Sequence, residues 1–114
     1  MKISEMVKQA HKNAKEKGFW NDWIAIYNSY SEVSDIEPML NNAIAARLAL
    51  IHSEVSEALE ALRVEDMDNF AEELADVVIR VADLAGGLEI DLGDEIVKKM
   101  EKNKVRGYMH NKRL

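Results

Sequence analysis

The chain has 114 residues, no cysteine, one proline and five glycines, with 47% hydrophobic and 32% charged residues and a formal net charge of −6. This composition predicts a single soluble, helix-rich domain over residues 1–114 and argues against a disulfide-stapled or disordered chain. Because no apolar run has the length of a signal peptide core or a membrane span, we expect a cytoplasmic protein without membrane association.

The charge is distributed unevenly along the chain. Residues 98–114 carry seven Lys or Arg and one acid, Glu101, so this segment has a charge of +6 and the remainder −12. An acidic body argues against a surface that binds duplex nucleic acid. The basic segment is suited to holding a small anion, and a solvated tail is the alternative interpretation.

Four helices are predicted in chain order. Residues 3–17 predict an amphipathic helix ended by Gly18. Residues 18–38, which contain both tryptophans and the proline, predict a long connection with one helical turn near Trp23 to Tyr27. Further helices are predicted over about 39–63, 69–85 and 91–105, with Gly86-Gly87 as a C-cap and Asp91 as an N-cap.

The two central helices set the predicted fold class. Both are apolar around most of their circumference, which requires neighbours on several sides. The short loop between them makes them antiparallel neighbours. We therefore predict an all-α, four-helix bundle-like protomer that assembles as a homodimer or a dimer of dimers.

Two glutamates on the 39–63 helix lie away from its polar side. At about 100° per residue, Glu54 and Glu57 fall on a flank shared with small apolar residues, next to a stripe of large ones. The flank contains Leu50, Ala58 and Ala61, and the stripe contains Leu48, Ile51, Val55, Leu59 and Leu62. Carboxylates on such a flank require something to neutralise them.

The next helix carries a matching pair of acids. Glu73 lies near the centre of its apolar stripe and Asp76 at the edge, whereas Glu72 points away. Counted from the turn between the helices at ~1.5 Å per residue, all four carboxylates reach one level of the predicted hairpin.

A cluster of four carboxylates needs a cation. Two like charges ~4 Å apart repel by roughly 4 kcal/mol at an effective dielectric constant near 20. Mg²⁺ prefers such oxygen ligands. A salt bridge from Arg80, four residues after Asp76, is the alternative, but one guanidinium cannot neutralise four acids. A di-iron site would require Glu-x-x-His pairs, and we predict that His52 is a packed core residue instead.

Four segments, together with the ExxE and ExxD pairs, resemble the MazG-like family of all-α nucleoside triphosphate pyrophosphohydrolases, in its small single-domain form. The segments are NAKEKGFW (13–20), LALIHSEVSEALEALR (48–63), EELADVVIRVADLAG (72–86) and KKMEKNKVRGYMHNK (98–112). They cover most of the chain, and the match is weakest around residues 23–33.

The resemblance implies Mg²⁺-dependent hydrolysis of a (deoxy)nucleoside triphosphate to the monophosphate and pyrophosphate in a homodimer or homotetramer, with Mn²⁺ as a substitute metal. By this resemblance the metal ligands are Glu54, Glu57, Glu73 and Asp76. Glu54 and Glu57 are the predicted catalytic residues, and the alternative role for either one is to orient the attacking water as a base. A role in nucleotide-pool housecleaning is a further implication. The alternatives are a related hydrolase of phosphoribosyl-ATP or dUTP type, and a non-catalytic helical interaction module.

The last predicted helix carries a face suited to phosphate. Lys99, Asn103 and Arg106 are spaced i, i+4 and i+7, and they share that face with two apolar residues. Snorkelling of long side chains over an apolar stripe is the alternative. By the resemblance, His110 and Lys112 also contact the phosphates.

Aromatic residues near the N-terminus are candidates for contacting the base. These are His11, Trp20 and Trp23, of which the resemblance supports Trp20 most; a hydrophobic plug is the alternative for Trp23. We also predict that Asp83 forms a salt bridge with Lys99, with a place among the metal ligands as the alternative.

Overall fold

The computed structural model describes residues 1–30, 32 and 36–107, and this part of the chain forms five helices and no strand. They are α1 (Ile3–Glu16), α2 (Asn21–Tyr30), α3 (Glu37–Arg63), α4 (Met67–Gly87) and α5 (Leu92–Lys104). The all-α prediction is confirmed. None of these helices is both long and apolar enough to cross a membrane.

The α3–α4 hairpin is the centre of the fold. These two helices, joined by a turn at 64–66, pack against each other, and α1 also packs on α4. The short helix α2 lies on α3, and α5 lies on α1. The four predicted helices therefore exist, and α2 is an addition to them.

Local signals in the sequence account for most of the helix ends. Gly18 has a φ of +87°, a left-handed conformation that favours glycine, and it follows α1 as predicted. The side chain of Asp91 accepts a hydrogen bond of 3.1 Å from the backbone N–H of Asp94, which confirms the predicted N-cap of α5. Asp66 caps α4 in the same way through Asn69.

Helix α2 corrects the prediction of a long connection with one helical turn. It has ten residues, and its first turn is held by Arg47 of α3. The guanidinium donates to both carboxylate oxygens of Asp22, at 2.7 and 3.0 Å, and to the carbonyl of Phe19. It also lies 4.0 Å from the centroid of the Trp20 ring. These tertiary contacts stabilise α2 as a helix, although the hydrophobic periodicity of the segment is too weak to predict one.

Gly86 and Gly87 were predicted to be the C-cap of this helix, but both lie inside α4. The observed C-cap is Leu88. Both glycines permit the close approach of side chains that precede α2. A Cβ atom at Gly86 would lie 2.7 Å from the Cβ of His11, and one at Gly87 would collide with the Trp20 ring. The pair therefore serves packing and not helix termination.

The interior is built mainly from alanine. The buried apolar residues in the described part of the chain are Trp20, Ala43, Ala58, Ala61, Ala82 and Ala85. Small side chains allow the axes of α3 and α4 to approach closely. The flank of α3 that carries Glu54, Ala58 and Ala61 consequently faces α4.

The stripe of large apolar residues on α3 is mostly exposed in this protomer. Leu48, Val55, Leu59 and Leu62 are 47–58% exposed. On α4, Leu74 is 48% exposed. His52 is also exposed, contrary to its predicted place in the core. The structure therefore leaves a continuous apolar surface on the hairpin.

We predict that Gly87→Ala destabilises the protein by about 1–3 kcal/mol, because the added methyl group would displace the buried Trp20 ring. Urea unfolding followed by circular dichroism measures this change. Gly93→Ala is the matched control, since the nearest atom to an added Cβ lies 3.6 Å away. Equal stabilities of the two variants would contradict this account of Gly87.

Candidate functional site

Three carboxylates from two helices converge at one level of the hairpin. Glu54 and Glu57 of α3 and Glu73 of α4 each offer an oxygen, and these atoms all lie within 4.8 Å of one another. Glu54 is buried, Glu73 is half-buried and Glu57 is exposed, so the cluster opens to the surface on one side. Glu72, the neighbour of Glu73, is exposed, as predicted.

Arg80 neutralises one member of this carboxylate cluster. Its Nε atom donates a hydrogen bond of 2.9 Å to Oε1 of Glu54, across the interface between α4 and α3. The sequence suggested Asp76 as the partner of Arg80, four residues earlier on the same helix. The observed pair leaves Glu57 and Glu73 without a cationic partner in the described part of the chain.

Glu73 is the least satisfied member of the cluster. Its Oε2 atom is buried and has no hydrogen-bond partner. The pKa of Glu73 is raised to about 7, first because its protonated form can donate to the Glu54 carboxylate, and then because of burial and the negative charge of Glu57. Without a cation, Glu73 is therefore protonated below neutral pH and loses its proton as the pH rises through about 7.

The cluster fits a hard divalent cation. Mg²⁺ binds oxygen ligands at about 2.0–2.1 Å, so opposite ligand atoms stand about 4.2 Å apart, close to the spacing within this cluster. The unpaired Oε2 of Glu73 provides a buried acceptor for such an ion. Glu54, Glu57 and Glu73 are the residues that could hold it.

Asp76, the fourth predicted ligand, lies outside this group of three. It is exposed, one turn along α4 from Glu73. Its side chain lines a cavity of about 180 Å³ between α1, α3 and α4, which Arg80 also lines. The role of Asp76 as a metal ligand stays a prediction.

The three side chains predicted to contact a base lie together. The Trp20 ring centroid is 4.9 Å from that of His11 and 5.6 Å from that of Trp23. Trp20 is only 3% exposed, between Arg47 and Gly87. His11, Trp20 and Trp23 nevertheless line one pocket together, and their contact with a base stays a prediction.

Asp83 binds this aromatic group and not Lys99, so the predicted salt bridge is wrong. Oδ1 of Asp83 accepts a hydrogen bond of 2.8 Å from Trp20 Nε1 and lies 3.0 Å from Nδ1 of His11. These two bonds hold α1, through His11, and the segment before α2, through Trp20, to α4. The surface position of Lys99 explains the error, because α5 packs on α1.

The predicted phosphate-binding residues lie at the surface. Lys99, Asn103 and Arg106 are all exposed, and Lys99 and Asn103 make no hydrogen bond or ion pair within the described ranges. His110 and Lys112 lie outside the described residues. Contacts of these five residues with phosphate stay predictions.

Sequence reasoning missed three residues that line the 180 Å³ cavity: Asn13, Phe19 and Arg47. The isolated arginine in the apolar run AIAARLALI was a signal that a buried polar contact existed at that point. Asn13 and Phe19 lie in the segment NAKEKGFW, which carried the resemblance, but nothing in that segment indicated that these two residues line a cavity with α3 and α4.

Comparison with known proteins gives one family. Residues 43–108, more than half of the chain, match the model of the MazG nucleotide pyrophosphohydrolase domain. This range includes the carboxylate cluster, most of α3, and all of α4 and α5. No curated protein and no solved structure matches the chain significantly.

We predict that Glu73→Gln stabilises the metal-free protein relative to wild type more at pH 8 than at pH 5. The folded pKa of Glu73, about 7, lies above the ordinary value of 4.5. The stability contributed by its proton is fully present below pH 4.5 and is lost as the pH rises through 7. Glutamine lacks this ionisation.

Urea unfolding of both proteins in a metal chelator, at pH 5 and pH 8, measures this difference. Glu72→Gln, which changes the exposed neighbouring acid, is the control and should show no such dependence on pH. A stability difference between Glu73→Gln and wild type that is the same at both pH values would contradict the assignment.

Proposed function

The chain belongs to the MazG nucleotide pyrophosphohydrolase domain family, and on this basis we propose that it hydrolyses a (deoxy)nucleoside triphosphate to the monophosphate and pyrophosphate. The proposed reaction depends on Mg²⁺, for which Mn²⁺ substitutes. The observation that carries the proposal is the carboxylate cluster, which lies within the matched range and includes a buried oxygen without a partner.

The residues of the chain have distinct tasks in this proposal. Glu54 and Glu73 hold the metal from the buried side of the cluster, and Arg80 fixes the orientation of Glu54. Glu57, at the exposed side, either completes the ligand set or orients the attacking water as a base. Asp76 is the proposed fourth ligand. A bound Mg²⁺ would offset the negative charge of the phosphates and lower the pKa of a bound water molecule.

Phosphate binding is assigned to the basic end of the chain. Lys99, Asn103 and Arg106 are exposed on or just after α5, where they are accessible to a triphosphate. His110 and Lys112 follow them in sequence. Positive charge in this segment would offset the acidic body, which would otherwise repel a polyanionic substrate.

We also propose that the protein is a homodimer or homotetramer. Support comes from the exposed apolar surface of the hairpin, where four large side chains of α3 repeat at positions 48, 55, 59 and 62. Exposed apolar surfaces of this extent mark protein interfaces. A second copy is the partner that presents the same stripe, as a twofold interface requires.

The proposed setting is the cytoplasm, where the enzyme limits or cleans a nucleotide pool. A hydrolase of phosphoribosyl-ATP or dUTP type remains the enzymatic alternative. The pair formed by Arg80 and Glu54 favours a second, non-catalytic candidate, a helical interaction module, since it neutralises part of the cluster without a metal.

We expect wild-type protein with Mg²⁺ to release pyrophosphate and a monophosphate from at least one member of a panel that includes the natural triphosphates, dUTP and phosphoribosyl-ATP. Glu57→Gln should lower kcat by more than ~100-fold with the helical content retained, because it removes a charged oxygen from the metal site. Chromatographic identification of products measures this effect.

Glu60→Gln is the control, because Glu60 is an exposed acid one turn further along α3, outside the cluster. Undiminished turnover by Glu57→Gln would overturn the ligand assignment. Absence of Mg²⁺-dependent turnover on the whole panel would favour the interaction module.

We predict that Leu59→Glu lowers the molecular mass measured by size-exclusion light scattering at micromolar concentration, because it places a charge in the proposed apolar interface. Val105→Glu is the matched control, an exposed apolar residue after the end of α5. A wild-type mass of one chain would refute the proposed oligomer.

A further inference from the structure

A basic side chain is built into the carboxylate cluster formed by Glu54, Glu57 and Glu73. Arg80 reaches the cluster from α4, and its Nε atom donates a hydrogen bond of 2.9 Å to Oε1 of Glu54. The side chain of Glu54 is 11% exposed and that of Arg80 is 34% exposed, so this ion pair lies at the buried side of the cluster. Because a guanidinium stays protonated in proteins, Arg80 gives the cluster a permanent positive charge.

The sum of these charges limits how many divalent ions the cluster tolerates. The three glutamates carry −3 when ionised, Arg80 carries +1, and one divalent ion adds +2, which brings the total to zero. A second divalent ion would leave a net charge of +2 among partly buried groups. The repulsion of that ion by the first ion and by Arg80 would have no ligand charge to offset it.

The small size of the cluster also favours a single ion. The three ligand oxygens all lie within 4.8 Å of one another. Oxygens on opposite sides of one Mg²⁺ stand about 4.2 Å apart, whereas a pair of ions ~3.5–4 Å apart requires ligand oxygens spread over roughly 8 Å. Three oxygens as close as these surround one ion.

Arg80 also restricts the way in which Glu54 can bind metal. A carboxylate that bridges two ions uses one oxygen for each of them. Oε1 of Glu54 already accepts the hydrogen bond from Arg80, so Oε2 is left for an ion. Asp76, the proposed fourth ligand, is exposed and lies outside the group of three. A second ion at the buried side of the cluster would have to displace Arg80.

We propose that Arg80 takes the place of a second divalent ion, so that the protein without nucleotide binds one such ion per chain. The proposal rests on the proposed function for the metal site, and it adds the number of ions and the role of Arg80. It applies to the nucleotide-free protein, because a triphosphate brings negative charge of its own. The charge of Arg80 also repels the first ion, so Arg80 weakens divalent binding even though it orients Glu54.

Mn²⁺ is the probe for the number of ions, because electron paramagnetic resonance distinguishes an isolated Mn²⁺ from a pair of neighbouring ions. We expect equilibrium dialysis of the wild-type protein at pH 8, above the pKa of Glu73, to give one Mn²⁺ per chain. The spectrum should be that of an isolated ion. Two ions per chain with a spin-coupled spectrum would overturn the proposal and leave the proposed function intact. Absence of bound Mn²⁺ would overturn both.

Two variants test the role of the Arg80 charge. Arg80→Met removes the charge and should bind the first Mn²⁺ about tenfold or more tightly than wild type, because it removes the repulsion between guanidinium and ion. Arg80→Lys keeps the charge, so its affinity should lie within about threefold of wild type. Weaker binding by Arg80→Met than by wild type would mean that orienting Glu54 is the main role of Arg80, and would overturn the proposal.

Thermal unfolding followed by circular dichroism separates metal binding from folding. In a chelator, Arg80→Met should melt at a lower temperature than wild type, because the buried Glu54 loses its partner, and added Mn²⁺ should raise its Tm by more than that of wild type. Arg63→Met is the matched control, since Arg63 is 71% exposed and pairs with Glu60 outside the cluster. Its response to Mn²⁺ should equal that of wild type. An equal response in Arg80→Met would overturn the proposal.

Discussion

The close approach of α3 and α4 is the constraint on which the rest of this structure depends. Ala58 and Ala61 on α3, with Ala82 and Ala85 on α4, are buried. Because their side chains are small, the acids on the same faces are brought within 4.8 Å of one another. Electrostatic repulsion within this carboxylate cluster is the cost of that packing, and Arg80 offsets only the part that concerns Glu54.

The framework around the hairpin relies on polar contacts as much as on apolar burial. Asp83 holds Trp20 and His11, and Arg47 holds the start of α2. Trp20 connects the two, because it bonds Asp83 and lies under the Arg47 guanidinium. These contacts hold α1 against α4, and α1 forms the third wall of the 180 Å³ cavity.

The apolar surface of the protomer is consistent with a site that belongs to a larger assembly. Helical periodicity correctly identified two apolar sides on α3, one small and one large. Periodicity could not decide which side faces α4. Burial of leucine favours the side with large residues, whereas close packing of the helices favours the side with alanines. In the structure the alanine side faces α4, and Leu59 on the other side is 58% exposed. A second copy would bury both sides of the helix.

The sequence by itself determined the helical class, the Asp91 cap and the choice of Glu73 over Glu72, because each depends on spacing within one helix. Only the tertiary structure decided that Arg80 pairs with Glu54, that Asp83 binds Trp20, and that α2 is a helix. Each of these depends on residues distant in sequence, whose meeting is set by how closely helices pack. The cavity between α1, α3 and α4 also could not be predicted from the sequence, because residues of three separate helices form its walls.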